Sequence, residues 1–195
     1  LFIQAMFANL SWESWVSNIF DTEKLITYIP DYPIFYENLT AYENLKFISS
    51  LFYKSYDEIE EVINDLINEF EFQIHLNKFP DELSKGNKQK LMIIMCLIQQ
   101  YDVLIADEPF SGLDPFQIHK FKSILLELSK NNKYILISTH VLDLAETICD
   151  RVIIIDEGCI IEDERLDMLL RKWNTDKLED AYIKIKERKA MAKDD

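Results

Sequence analysis

Between residues 102 and 155, three short aliphatic runs (DVLIA at 102–106, KYILIS at 133–138 and RVIII at 151–155) alternate with two stretches of helical periodicity. Strands separated by helices must cross over to pair, and the crossover lays them parallel in one sheet. The first interval predicts a helix over 115–130, with Ile118, Phe121, Ile124, Leu125 and Leu128 on one face. Asp114 followed by Pro115 supplies its N-cap and first turn. Val141, Leu144, Ala145 and Ile148 mark a shorter helix in the second interval. A parallel sheet of this kind binds ligands at the carboxyl ends of its strands.

Residues 41–100 differ in character. They are mostly helical, with Ile59, Val62, Ile63, Leu66, Ile67 and Phe70 forming an apolar stripe and acids filling the solvated face. The expected organisation is one α/β domain: a sheet core from 1–40 and 101–173, an inserted helical subdomain over 41–100, and a C-terminal helix and tail over 174–195. Leu178, Ala181, Tyr182 and Ile185 give that helix its apolar face, and the charged end is expected to fray. There is no repeat, low-complexity tract or Gly/Ser linker. Only three glycines occur, Gly86, Gly112 and Gly158. Gly158 parts two apolar runs in VIIIDEGCIIED, which is a hairpin signal.

The formal net charge of −14 excludes a surface built for nucleic acid, which needs clustered Lys and Arg, and docking on anionic lipid by charge alone. The longest apolar run, LMIIMCLI at 91–98, is too short to span a bilayer, so a membrane role would come through a partner. Three cysteines without a CxxC or other metal spacing read as inert thiols in a reducing compartment. The N-terminus has no basic n-region and no small-residue cleavage site, so no signal peptide is expected.

Three segments carry chemistry. In VLIADE, Asp107 and Glu108 leave the carboxyl end of a strand, where one carboxylate can hold Mg²⁺ and the other can polarise a water. Taken alone, an acidic turn after a strand is the better explanation of them; the PFSGLDP that follows shifts the balance by adding a tight turn and a capped helix. In LSKGNKQKLMIIMCLIQQ, Ser84 can cap a helix whose first turn holds Gly86 and Asn87, with backbone N–H groups turned outward toward a phosphate. An ordinary capped, buried helix is the alternative. In YILISTH, His140 follows a strand that ends at the same sheet edge as the acids, and is either a structural histidine or a γ-phosphate contact.

In this order the segments resemble the nucleotide-binding domain of ABC-type ATPases: LSKGN is similar to the signature (usually LSGGQ), VLIADE to Walker B, SGLD to the D-loop, and His140 to the switch histidine. The stretch ITYIPDYPIFYENLTAYENLKF at 26–47 is similar to the segment carrying the Q-loop. The resemblance covers essentially the whole chain, and its details look most like bacterial export-type transporters, including the Ecs-type group. It implies the RecA-like P-loop fold, with ATP and Mg²⁺ as cofactors. Asp107 would hold Mg²⁺, mostly through water, Glu108 would be general base on the attacking water, and His140 would touch the γ-phosphate. Ser84 and Gly86 would reach the γ-phosphate of an ATP on the opposite subunit, with Asp114 at that head-to-tail interface. Partners would be transmembrane permease subunits and a second ABC ATPase subunit, at the cytoplasmic face of the membrane. Residues 36–53 are where the chain would meet the permease, although core packing of Leu39, Leu45, Phe47 and Leu51 explains much of that stretch.

Two departures stand out. Asp31 occupies the usual glutamine position of the Q-loop; it offers oxygen to Mg²⁺ but adds a negative charge near the γ-phosphate. No GxxGxGK[ST] phosphate loop occurs in the 195 residues. LFIQAMFANL at 1–10 looks like the helix that follows that loop, so the expectation is a chain lacking its first strand and phosphate cradle. That loss would leave unpaired backbone on two neighbouring strands, weak folding and poor ATP binding by the chain alone. A catalytically dead partner, supplying only the signature to another subunit's site, is the second expectation. Repair or chromosome ATPases and translation factors of the same superfamily fit worse, because 31–83 is a short helical stretch and the surface is acidic.

Overall fold

The structure is a computed structural model and describes residues 2–7, 25–53 and 55–191. It divides into two compact units, one of Lys24–Lys133 and one of Leu1–Glu23 with Tyr134–Asp195.

In the first unit, strands β2 (Ile26–Ile29) and β3 (Val103–Asp107) pair in parallel, from Ile26 opposite Val103 to Ile29 opposite Ala106. Four helices accompany them: α1 (Ala41–Ser50), α2 (Tyr56–Glu69), α3 (Lys85–Leu97) and α4 (Pro115–Lys130). Their starts are fixed locally. Thr40 with Glu43 and Ser55 with Glu58 form capping boxes, and Asp114 caps α4 ahead of Pro115 as predicted. The predicted stripe on α2 turns inward, burying Ile63, Ile67 and Phe70, while Asp57, Glu58, Glu61, Asp65 and Glu69 face solvent. From Leu91 onward helix α3 is apolar all round because it is enclosed: Leu91, Ile93, Ile94 and Cys96 are fully buried. Phe70, Phe72 and Phe121 are also fully buried, each stabilising the fold by roughly 1.5–3 kcal/mol.

The second unit corrects one expectation. Residues 2–7 are a strand, β1 (Phe2–Phe7), and not the predicted helix; residues 8–10 of that prediction lie outside the described residues. Strand β1 runs antiparallel to both β4 (Tyr134–Thr139) and β5 (Arg151–Asp156), with Ala5 opposite Ile137 on one side and Val152 on the other. Since β1 opposes both, β4 and β5 run in the same direction, as their alternation with helices requires. The two strands therefore do not present unpaired backbone to each other. A six-residue segment between them satisfies the ladder on both sides, which a helix could not do.

The hairpin at Gly158 forms as expected, joining β5 to β6 (Cys159–Arg165). Its two central residues, Glu157 (φ 52°) and Gly158 (φ 77°), both take the left-handed conformation that such a turn requires. Helices α5 (Leu142–Ile148) and α7 (Leu178–Met191) match the periodicity, and α6 (Leu166–Trp173) adds a short helix that the periodicity did not reveal. Glu146 accepts a hydrogen bond from the Leu178 N–H at 2.7 Å and so caps the start of α7. Lys186 and Lys189 near its other end each donate to Asp156 at 2.7 Å. Cys96 and Cys149 are buried, and burial pushes both thiols up to about 12; Cys159, at the hairpin, is exposed.

Candidate functional site

Parallel pairing of β2 with β3 carries Asp31 and the Asp107–Glu108 pair off the same strand edge, one and two residues beyond the last matched positions. All three are partly exposed. Burial raises the Tyr28 phenol above its ordinary value, and the negative charges of Asp107 and then Asp31 raise it further, so both carboxylates bear on the same ring. Among the described residues no three His, Cys, Asp or Glu side chains are gathered to hold a metal by themselves. A carboxylate pair at a strand end is nevertheless a suitable donor set for Mg²⁺, which keeps waters and takes substrate phosphates alongside one or two carboxylates.

Glu108 has φ 44°, a left-handed conformation rarely taken by a residue with a Cβ, and it directly precedes Pro109, which disfavours compact backbone in its predecessor. The chain then turns tightly: the Ser111 N–H reaches the Glu108 carbonyl at 3.0 Å and the Leu113 N–H the Phe110 carbonyl at 3.2 Å. Phe110 anchors the turn against Phe121, with ring centroids 5.5 Å apart. Asp114 follows, and its carboxylate accepts from the Gln117 N–H at 3.0 Å.

The start of α3 packs on this turn. Ser84 caps the helix, accepting from the Asn87 N–H at 3.3 Å, so the Asn87 amide is engaged within the chain and is not free as the sequence suggested. Gly86 lies directly on the turn: a Cβ there would stand 2.5 Å from the Gly112 carbonyl oxygen. On Gly112 itself (φ 78°) an added Cβ would meet the Lys85 side chain at 3.2 Å. One turn on, the buried Gln89 side chain donates to the Pro109 carbonyl at 3.1 Å. Ser84, Gly86, Asn87, Asp107, Glu108 and Asp114 thus belong to one packed block, with Asp31 at its strand edge. His140 belongs to the other unit, where it follows β4 and is exposed. The hydroxyl of the preceding Thr139, fully buried, accepts from the Val141 N–H at 3.1 Å and fixes the backbone on either side of it.

A cavity of about 520 Å³ lined by Leu25, Tyr53, Tyr101, Asp102 and Lys133 opens at the opposite, amino ends of β2 and β3. It is remote from the carboxylate edge.

Two residues of structural weight escaped the sequence reading. Gln89 is one, and its polar side chain inside an otherwise apolar helix was the available signal. Asn44 is the other: its amide oxygen accepts from the Tyr36 N–H at 2.9 Å, and its amide nitrogen lies 3.0–3.1 Å from the carbonyls of Tyr36, Leu39 and Thr40. That single buried side chain shapes the 36–40 turn.

Comparison with known proteins gives a consistent picture. The family model described as ABC transporter matches residues 8–111, just over half of the chain. The ABC-type transporter ATP-binding protein EcsA of Bacillus subtilis (strain 168) is 39% identical over 132 residues, covering 68% of this chain and 53% of its own length. The uncharacterized ABC transporter ATP-binding protein YthP of the same organism is also 39% identical, over 133 residues, 68% of this chain and 56% of its own. The chain therefore spans a little over half the length of these curated relatives. A solved structure titled "Structure of ATP binding subunit of ABC transporter" superposes with a TM-score of 0.77 at 34% identity, covering 83% of this chain and 68% of that one.

Proposed function

Because this chain belongs to the ABC transporter ATP-binding family, we propose that it is part of the ATP-hydrolysing subunit of an ABC transporter that works at a head-to-tail dimer interface. The observation that carries the reading is the packed block itself: signature-like, Walker B-like and D-loop-like segments meet through Gly86, Gly112, Gln89 and Pro109.

In this reading Glu108 takes the proton from the attacking water. Asp107, with Asp31 beside it, would hold Mg²⁺ largely through water; when bound, the ion offsets the charge of the phosphates. The Ser84 hydroxyl, which can still donate while it accepts from the Asn87 N–H, and the backbone at Gly86 face the γ-phosphate of a nucleotide on the opposite subunit. Asp114 lies at that interface, and His140 contacts the γ-phosphate. Phosphoryl transfer depends mainly on positioning and electrostatics, so each role is a matter of where the group is held.

No helix among the described residues is long and apolar enough to cross a membrane. We place the subunit against transmembrane permease partners at the cytoplasmic face, through the 36–53 stretch. Tyr36 (50% exposed), Phe47 (40%) and Leu51 (62%) there present apolar surface. The motif details favour an export-type, Ecs-like transporter, and one domain with an inserted helical subdomain is the organisation we adopt. The second reading, which rests on the capped start of α3 alone, is a partner whose signature completes another subunit's site.

The test is ATP hydrolysis by the full-length polypeptide with its permease. Glu108→Gln is expected to lower kcat by roughly 10²–10⁴-fold while ATP still binds. In a mixture with an intact second ATPase, loss of hydrolysis on Ser84→Arg but not on Glu108→Gln would favour the second reading. An unchanged rate in both variants would sink both.

A further inference from the structure

Glu108 holds an unfavourable backbone for two separate reasons: it is left-handed at φ 44° and it precedes proline. Conformations of this kind persist only where the surroundings over-determine them. The bracing groups are on α3. Gln89 is 2% exposed, at a position where an apolar residue would avoid the cost of burying an amide. Its amide donates to the Pro109 carbonyl at 3.1 Å. Because the ring fixes φ at Pro109, holding that carbonyl fixes the one remaining rotation of Pro109 and so the path into Phe110 and Ser111, whose N–H closes the turn on the Glu108 carbonyl at 3.0 Å. Gly86 bears on the Gly112 carbonyl from the same helix, and Phe110 is wedged against Phe121.

We infer that Gln89 is a positioning residue for Glu108: it clamps the Pro109 carbonyl and so keeps the Glu108 backbone left-handed and its carboxylate aimed. This rests on the reading of Glu108 as general base. Without the clamp the 108–112 turn relaxes toward extended backbone at Glu108, the conformation that a residue before proline prefers, and the carboxylate swings off line. The same clamp ties the capped start of α3 to the carboxylate of the same chain, so a displacement of one is passed to the other.

A double-mutant cycle in the full-length protein tests this, using parent, Gln89→Met, Glu108→Gln and the combined variant. Methionine keeps the length and volume of glutamine and removes the N–H donor. Gln89→Met is expected to lower kcat by about 10–100-fold with KM for ATP within twofold, the signature of a lost transition-state contact. In the Glu108→Gln background it is expected to lower the residual rate no further. An equal fold-loss in both backgrounds, a raised KM at constant kcat, or no loss at all would overturn the assignment. If Glu108→Gln itself leaves the rate unchanged, the general-base reading fails and the assignment falls with it. Should Gln89→Met not fold, Gln89→Asn, polar but one carbon short of the Pro109 carbonyl, carries the same test.

Discussion

Gly86 rests on Gly112: a methyl group at position 86 would stand 2.5 Å from the Gly112 carbonyl oxygen, closer than real Cβ contacts come. Two of the three glycines in the sequence are therefore spent on one contact, between the start of α3 and the turn after β3. Replacing Gly by Ala inside a helix ordinarily gains about 1 kcal/mol. Here the obstacle is backbone and cannot swing aside, so Gly86→Ala is expected to lose about 1–3 kcal/mol net. Urea unfolding of the purified protein measures it, and a gain in stability would mean the two segments are not in rigid contact.

The left-handed backbone at Glu108 predicts an opposition between stability and turnover. Left-handed backbone costs a residue with a Cβ about 1–2 kcal/mol, which glycine escapes, while glycine adds roughly 0.4–1 kcal/mol of unfolded-state freedom. Glu108→Gly is thus expected to leave the unfolding free energy within about 1 kcal/mol of the parent while abolishing ATP hydrolysis. A large loss of stability would show that the Glu108 side chain itself supports the turn.

Asn44 is fully buried and serves four backbone groups between Tyr36 and Thr40. The Tyr36 and Thr40 carbonyls keep backbone partners in Asn44→Ala, but the Tyr36 N–H and the Leu39 carbonyl lose the Asn44 side chain, so a loss on the order of 3 kcal/mol is expected, with earlier proteolytic cleavage in the 36–40 turn. Cleavage at an unchanged rate would show that this turn holds without it.

Hydrogen bonds from Lys186 and then Lys189 hold the Asp156 carboxyl down to about 2, below its ordinary 3.8. A group lowered in the folded state contributes stability that is present above the ordinary value and is lost as pH falls through the folded one. Asp156→Asn should therefore lower the thermal midpoint at neutral pH, and parent and variant should converge between about pH 4 and pH 2. Curves still separated at pH 2 would assign the effect to packing and not to charge.

Asp31 bears on the same Tyr28 ring as Asp107, so on the proposed function it adds a charge beside the proposed Mg²⁺ ligand. Asp31→Gln removes that charge and keeps an oxygen. The permease-stimulated ATPase rate is expected to change by roughly three- to tenfold, about 1 kcal/mol in the barrier, with Mg²⁺ still required. If neither the rate nor the Mg²⁺ dependence moves, Asp31 lies outside the reaction's field.

Local signals carried most of the fold. Helix α4 appears where Asp114–Pro115 and five spaced apolar residues put it, and the Gly158 hairpin where two apolar runs meet a polar turn. The place of Asp107 and Glu108 followed from a strand end, whereas Asp31 was reached only through the resemblance and strand β2 was not foreseen. The helix expected at residues 1–10 rests on the resemblance alone; FIQAMF has no decisive period, and its strand partners lie roughly 130 residues away in β4 and roughly 150 in β5. Helix α6 is only eight residues long and sits among charges, too short for a periodic pattern to stand out. The roles of Gln89 and the backbone of Glu108 depend on two segments meeting, and no local pattern encodes that meeting.

The three cysteines differ sharply in access, and that difference is of practical use. Burial keeps Cys96 and Cys149 protonated far above neutral pH, so thiol-reactive dyes should leave them untouched while the protein is folded. Cys159 stands exposed beside the turn of the β5–β6 hairpin, which makes it a ready attachment point for a single fluorophore on these residues. A dye placed there would sit on the β5–β6 hairpin without any engineered substitution among these residues. Sudden labelling of all three thiols would in turn report unfolding.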